Sequence, residues 1–270
     1  VRNRDVGGRL WNAQMLKVSI VTVAFNSVST IRDTIESVLG QSYARIEYIV
    51  IDGGSTDGTV EVVREYGARI AHFVSEPDRG LYDAMNKGVA LATGDFIGLL
   101  NSDDIYQDAD VVSSVVAAVD HGARFVYGDL VYVRQADTSR VVRYWRGRPY
   151  TPSFFERGDV PPHPTLFVRS DVYAEVGGFK ANDFRLSADY EFMLRAFGRH
   201  GSSARYVPRT LVRMRLGGET NRSIRNILQA NFEVLEAWRV NGRSAPWYLM
   251  PVRFLKRIKQ FVSHGADTRA

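Results

Sequence analysis

The stretch Gly94-Asp95-Phe96-Ile97-Gly98-Leu99-Leu100-Asn101-Ser102-Asp103-Asp104 decides how the chain is read. Its apolar run, Phe96 to Leu100, shows no polar alternation and stops abruptly on Asn-Ser-Asp-Asp. A strand covered on both faces has that pattern, whereas a strand with one wet face alternates. In open α/β sheets, ligands collect outside the carboxyl ends of such strands. Asp103 and Asp104 therefore have two readings. They turn the chain and cap the next helix, or they hold a hard cation that in turn holds phosphate.

Upstream, Val18 to Val23, Ile46 to Ile51 and Ile70 to Ser75 are further short apolar runs. Helical spacing separates them: Ile31, Ile35, Val38 and Leu39 with Ser29 as cap, then Val60 and Val63 after Asp57, then 81–92 closed by Gly94. Strand and helix alternating in this way predict a parallel sheet with helices on both faces. After a helix over 109–121 the rhythm changes. Phe125 to Val133 and Arg140 to Trp145 read as a hairpin around residues 136–139, and a proline-rich loop leads to a strand at Thr165 to Arg169. A helix carries Asp189 to Arg195, Leu211 to Arg215 reads as an edge strand, and the chain is helical from Ser223 with Ile224, Ile227, Leu228, Leu235 and Trp238 as the apolar stripe. The partition expected is a disordered lead-in at 1–15, a nucleotide-binding half at 16–122, a second half of the same domain at 123–220 and a helical extension at 221–270.

At 270 residues the chain has ample core for this design. It contains no cysteine, which excludes disulfides, thiolate metal sites and cysteine nucleophiles and fits a reducing compartment. The net charge of +5 is uneven, because arginine dominates after about residue 130. No apolar run approaches the roughly 20 residues of a membrane span, and the N-terminal residues lack the apolar centre of a signal peptide.

The loop after the first strand, Ala24-Phe25-Asn26-Ser27, has no glycine, and no Gly-Lys-Ser or Gly-Lys-Thr occurs. The dinucleotide fingerprint and the P-loop are thus both absent. That also weakens a nucleotidyltransferase reading. Acids stand instead at strand ends: Asp52 after the second, Asp103 and Asp104 after the fourth. Asp57-Gly58-Thr59 supplies half of an aspartate-phosphatase motif, but Ser55 occupies the nucleophile position, so that chemistry has no residue to run on.

Val-Thr-Val-Ala-Phe-Asn (21–26), Asp-Gly-Gly-Ser-Thr-Asp-Gly-Thr (52–59), Leu-Tyr-Asp-Ala-Met-Asn-Lys-Gly (81–88), Ala-Thr-Gly-Asp (92–95) and Asn-Ser-Asp-Asp (101–104) resemble, in order and spacing, the family 2 glycosyltransferases. The resemblance runs from about Leu16 to Leu235 and is nearest to enzymes building bacterial exopolysaccharides, O-antigens and glycolipids. It implies a GT-A type α/β fold: a doubly wound, mostly parallel central sheet, a smaller acceptor-side subregion and C-terminal helices. It also implies inverting, metal-dependent transfer from a nucleoside-diphosphate sugar to a saccharide or lipid-linked acceptor. By position, Thr22, Ala24, Asn26, Asn101 and Ser102 line the nucleotide-sugar, Asp52 meets the base, and Asp83 completes the pocket with Lys87 as either a phosphate contact or a solvated lysine.

The family's usual Asp-x-Asp begins here with Asn101, which leaves Asp103 as main ligand of a divalent cation (Mn²⁺ or Mg²⁺) and Asp104 beside it. The amide oxygen of Asn101 remains available to metal, ribose or water. The family's base aligns with Asp189, where the usual preceding glutamate is Ala188. Capping is the other use of Asp189, and Glu191 is the fallback base. His163 falls near the acceptor channel or is structural. Tyr144, Trp145, Tyr150, Phe154 and Phe155 either stack on sugar or cover the core.

Residues 247–262 form a basic amphipathic helix that suits an anionic membrane surface, and a solvated helix or an oligomer contact is the alternative. The expectation is a cytoplasmic protein, peripheral on the inner face of the plasma membrane, with no nucleic-acid partner. Asn101 and Ala188 keep open a non-catalytic member of the fold that binds nucleotide or glycan.

Overall fold

The computed structural model describes residues 15–217 and 223–262. The expected lead-in therefore lies, apart from Met15, outside the described residues, as do 218–222 and 263–270. Strands β1 (Val18–Ala24), β2 (Ile46–Asp52), β3 (His72–Ser75) and β4 (Phe96–Asn101) pair in parallel in the order β3-β2-β1-β4. Helices α1 (Ile31–Leu39), α2 (Thr59–Arg64) and α3 (Leu81–Leu91) make the crossovers, and α4 (Val111–Ala117) follows. The continuous apolar runs are explained by two cores. Ile20, Val50, Phe96 and Leu100 pack with Ile31, Ile35 and Val112 on one face, while Val21, Ile51, Ile97 and Leu99 pack with Met85 and Phe192 on the other.

The second half adds β5 (Ile105–Tyr106), β6 (Phe125–Arg134), β7 (Asp137–Trp145), β8 (Phe167–Arg169) and β9 (Ala204–Arg215). It also adds α5 (Ser170–Val176), α6 (Ala188–His200), α7 (Ile224–Val240) and α8 (Leu249–Val262). The sheet continues β4-β8-β6-β9-β5, with β7 also on β6. Short β8 runs antiparallel to both β4 and β6 and so fuses the halves into one sheet.

Several expectations are corrected. The edge strand at Leu211 to Arg215 is the end of the twelve-residue β9, which lies inside the sheet between β6 and β5. Pro208 and four arginines hide it in the sequence; Arg205, Arg209 and Arg215 spend their charges on Asp120, Asp108 and Asp33. The hairpin turns at Gln135-Ala136, tighter than expected. β3 starts at His72 because Gly67–Arg69 form a 3-10 turn, and the helix expected over 109–121 shrinks to α4. Thr30 rather than Ser29 stands at the start of α1, and Gly58 at the start of α2. Asp57 still accepts from the Thr59 amide at 3.0 Å. On α7 the buried face is Ala230, Val234, Ala237 and Trp238, whereas Leu228 and Leu235 are exposed.

Candidate active site

Strand order reverses between β1 and β4, and register sets Ala24 beside Asp52 and Val23 beside Asn101. Such a switch point opens a crevice at the carboxyl ends of the strands. A cleft of about 1970 Å³ lies there, running from Ala24, Asn26, Gly53 and Asp78 past Asn101, Ser102 and Asp103 to His163 and Asp189.

The donor end is built by loops that hold one another. Asn26 has φ +48°, a left-handed conformation that asparagine tolerates. Its amide donates to Ser55 Oγ at 2.8 Å and its Oδ1 accepts from the Thr56 amide at 3.0 Å. Ser27 and Ser102 share a hydrogen bond of 2.7 Å, joining the β1 and β4 loops. Asp52 is fully buried and accepts from Gly54 N, Ser55 N, Ser55 Oγ and Ser75 Oγ. It shapes the 53–55 loop and, being buried beneath it, does not line the cleft. Thr22 is also displaced from its expected place: it is buried beneath the sheet and accepts from the Tyr48 hydroxyl at 3.1 Å.

Asp83 lines the rim, where Arg79 hydrogen-bonds it at 2.7 Å and holds its carboxyl below the usual range. Lys87 turns away to Glu76 and the Pro77 carbonyl. Asp78, in the loop between β3 and α3 and outside the residues expected to form the site, lines the cleft and lies so close to Gly53 that a Cβ there would overlap its carboxylate. The signal was available: a Gly-Gly pair after a strand leaves room for something to approach the backbone.

At the end of β4, the half-buried Asp103 lines the cleft, and Arg215 donates to its carbonyl at 2.8 Å. Asp104 does not line it. Asp104 is fully buried, accepts from Asn101 Nδ2 at 3.1 Å, and sends its carbonyl to Thr34 Oγ1. Burial pushes both carboxyls up, Asp104 well above the usual range with Asp103 adding to it, while Arg215 opposes both. Asn101 Oδ1 and Asp104 Oδ1 are buried without a partner. An orphaned amide oxygen beside a cleft-lining carboxylate is a donor set a hard divalent cation accepts. The residues present thus fit a cation held by Asp103 and Asn101, with Asp104 behind them.

At the far end, α6 presents Asp189 in its first turn. Glu233 of α7 accepts from the amides of Leu186 and Ser187 at 2.8 Å each, so the start of α6 is fixed by its neighbour. Ser187 holds the cap position, which leaves Asp189 out of the capping role. Its Oδ1 accepts from the Tyr82 hydroxyl at 2.9 Å, and among the described residues Oδ2 accepts no hydrogen bond.

Glu191 is taken out of the site. It is fully buried and pairs with Arg195 at 2.9 Å and Lys180 at 3.1 Å, because two residues along a helix turn a side chain to a different face. His163 lines the cleft with its ring edge-on to Phe179, 5.7 Å between centroids. Burial lowers its pKa against the opposing charge of Asp189, so the imidazole is neutral near pH 7. Phe155 belongs to the core, whereas Tyr144, Trp145 and the 1% exposed Phe154 line the cleft.

The family model for glycosyl transferase family 2 matches residues 19–174, more than half of the chain. The chain belongs to that family. It is 38% identical over 184 residues to the uncharacterized glycosyltransferase Rv1514c of Mycobacterium tuberculosis, covering 66% of this chain and 68% of that one. It is 28% identical over 194 residues to the PGL/p-HBAD biosynthesis glycosyltransferase Rv2957 of the same species, covering 70% and 73%. Among solved structures it resembles Staphylococcus aureus TarS 1-349 (TM-score 0.64, 16% identity, 94% of this chain and 75% of that one). It also resembles the mannosyltransferase PcManGT of Pyrobaculum calidifontis, solved with GDP-Man and Mn²⁺ (TM-score 0.62, 18% identity, 90% and 74%). The protein is a glycosyltransferase, and its mixed, mostly parallel sheet with C-terminal helices is the GT-A fold. Within this glycosyltransferase the cleft is the candidate active site, and Asp78, Asp83, Asp103, Asp159 and Asp189 are the carboxylates that line it.

Proposed function

We propose that the chain transfers a sugar from a nucleoside-diphosphate sugar, with inversion, to a hydroxyl of a saccharide or lipid-linked acceptor in cell-surface polysaccharide or glycolipid synthesis. The observation that carries this reading is the placement of Asp189: it lines the same cleft as Asn101 and Asp103, with one oxygen held and the other open. Structures similar to this chain hold UDP, UDP-GlcNAc and GDP-Man, which supports a nucleotide-sugar donor. The nucleotide lies along Ala24, Asn26, Gly53 and Asp78. Asp103 and Asn101 Oδ1 would hold Mn²⁺ or Mg²⁺, which when bound neutralises charge gathering on the departing diphosphate.

Asp189 Oδ2 takes the proton of the acceptor hydroxyl as its oxygen bonds to the anomeric carbon. The bond to the diphosphate oxygen breaks on the opposite face, so the electron pair leaves with the nucleotide. His163, neutral and on the same wall, borders the acceptor space. The test is Asp189→Asn, assayed for transfer and for donor binding. Transfer falls by about 10²–10⁴-fold, the usual worth of a general base, with donor affinity kept; turnover within threefold of the parent refutes the assignment.

The acceptor is reached from a membrane surface. No helix among the described residues is long and apolar enough to cross a bilayer. α8, however, leaves Phe254 and Leu255 exposed (65% and 57%), Phe254 at the cleft edge beside Arg253, Lys256 and Arg257, which also line it. Trp247, 89% exposed, precedes it. Exposed apolar side chains beside a cationic mouth support a peripheral seat on the anionic inner face of the plasma membrane. Sedimentation with anionic phosphatidylglycerol vesicles tests this; Phe254→Ser/Leu255→Ser should release the protein, and equal sedimentation of parent and variant refutes it.

A further inference from the structure

The Leu81-Tyr82-Asp83-Ala84-Met85-Asn86-Lys87-Gly88 motif is only partly used by the donor: Asp83 sits at the rim and Lys87 leaves the cleft. Residues four apart share a helix face. Asp83 and Lys87 form one such pair, and Tyr82 and Asn86 form the next, which points to the opposite wall of the site.

Tyr82 is 6% exposed, and its hydroxyl donates to Asp189 Oδ1 at 2.9 Å. Its ring lies 5.7 Å from that of Phe179. Asn86 binds the same Phe179 by both ends of its peptide edge: the Phe179 amide donates to Oδ1 and Nδ2 donates to the Phe179 carbonyl, each at 2.8 Å. Phe179 in turn meets the edge-on ring of His163 and packs on Phe192 of α6 at 4.9 Å. From the other side, Arg195 of α6 donates to the carbonyls of Val176, Gly177 and Gly178. The third element of the motif, Gly88, presses α3 against β1 so tightly that a Cβ would overlap Val21.

We infer that α3 is a strut between the donor-binding sheet and the base, with Tyr82 and Asn86 as positioning residues. Tyr82 fixes the carboxylate of Asp189 through Oδ1, so that Oδ2 faces the acceptor hydroxyl. Asn86 fixes the 177–179 loop and, through Phe179, the wall that carries His163. Gly88 locks this assembly onto the strand whose end holds the nucleotide. The inference rests on Asp189 being the base. Its physical content is that a base must stand within hydrogen-bond reach of its proton, and misplacement by about 1 Å costs on the order of a hundredfold in rate.

The test is a double-mutant cycle with Tyr82→Phe and Asp189→Asn, which isolates the coupling between the two groups. Phenylalanine keeps the ring packing on Phe179 and removes only the hydroxyl. Expected is a fall in kcat of roughly tenfold to a hundredfold for Tyr82→Phe, with the donor KM and the melting temperature unchanged. In the Asp189→Asn background the same substitution changes the residual rate by less than about twofold, since there is no base left to position.

Asn86→Asp supplies a second variant. It keeps the acceptor for the Phe179 amide, loses the donor to its carbonyl, and should lower kcat while sparing donor KM. Full activity of Tyr82→Phe beside an inactive Asp189→Asn overturns the strut and leaves the base standing. An equal loss in both backgrounds, or a loss tracking a lower melting temperature, overturns it as well. An active Asp189→Asn overturns the base itself, and is read from that single variant.

Discussion

Replacing Asn101 with Asp restores the family's usual pair of aspartates, and the local geometry sets the sign of the effect. The Asn101 Nδ2 donates to Asp104 Oδ2 at 3.1 Å, inside a site where Asp104 is fully buried. In Asn101→Asp that donor becomes a second acceptor. Losing a hydrogen bond to a buried carboxyl costs about 1–3 kcal/mol. Two ionised carboxylates about 3 Å apart would repel by about 5 kcal/mol at an effective dielectric near 20. Uptake of a proton relieves much of that repulsion, since burial and the neighbouring Asp103 already push the Asp104 carboxyl up.

The metal-free variant should therefore lose about 2–3 kcal/mol, which for a domain of this size is roughly 4–12 °C in Tm. A divalent cation inverts the balance, because the added charge now faces a cation. Titrating Mn²⁺ in a thermal-shift assay should raise the Tm of Asn101→Asp more steeply than that of the parent, with at least about tenfold tighter binding, or about 1.4 kcal/mol. The reasoning fails if the metal-free variant melts with the parent, or if Mn²⁺ shifts both proteins equally.

Two further outcomes concern the sheet beneath the site. A Cβ on Gly94 would stand 2.6 Å from the amide of Ser19 and 2.9 Å from the Lys17 carbonyl, backbone atoms of the central strand region that cannot yield cheaply. Gly94→Ala should lose about 1–3 kcal/mol in urea unfolding, and a loss below about 0.5 kcal/mol refutes the steric reading. Burial acts to raise the pKa of Glu47, but hydrogen bonds from Lys17, Ser19 and Thr93 prevail and hold it at about 2, below its ordinary 4.5. The folded value is depressed, so this stabilisation is complete above pH 4.5 and is lost as pH falls toward 2. The parent should lose about 2–3 kcal/mol more than Glu47→Gln over that window. Parallel stability curves would refute it.

The donor half was legible in the sequence because its signals are local. Apolar runs ending on acids, helical spacing between them and five motifs in order are properties of short segments. β9 escaped because its partners are distant: Arg205, Arg209 and Arg215 look like a solvated basic run until Asp120, Asp108 and Asp33 are brought beside them. The same holds for α7, where burial of Val234 and Trp238 depends on α6, and Leu228 and Leu235 are left outside. Asp83, Asp103 and Asp189 do line the cleft, but position in a motif does not tell which way a carboxylate points. Asp52 turns inward to its own loop, and Asp104 inward beneath Asn101.

That inward turn gives the strand-end acids a division of labour. Of the three, Asp52 spends its charge on loop amides and hydroxyls, Asp104 lies fully buried against Asn101, and Asp103 is the one that lines the cleft. A second carboxylate at position 101 would face two carboxyls already pushed up by burial, whereas asparagine donates to Asp104 and leaves its own Oδ1 uncharged. The departure from the family pattern is therefore matched to its surroundings: the amide satisfies one oxygen of the buried Asp104, where a carboxylate would set another acceptor against it.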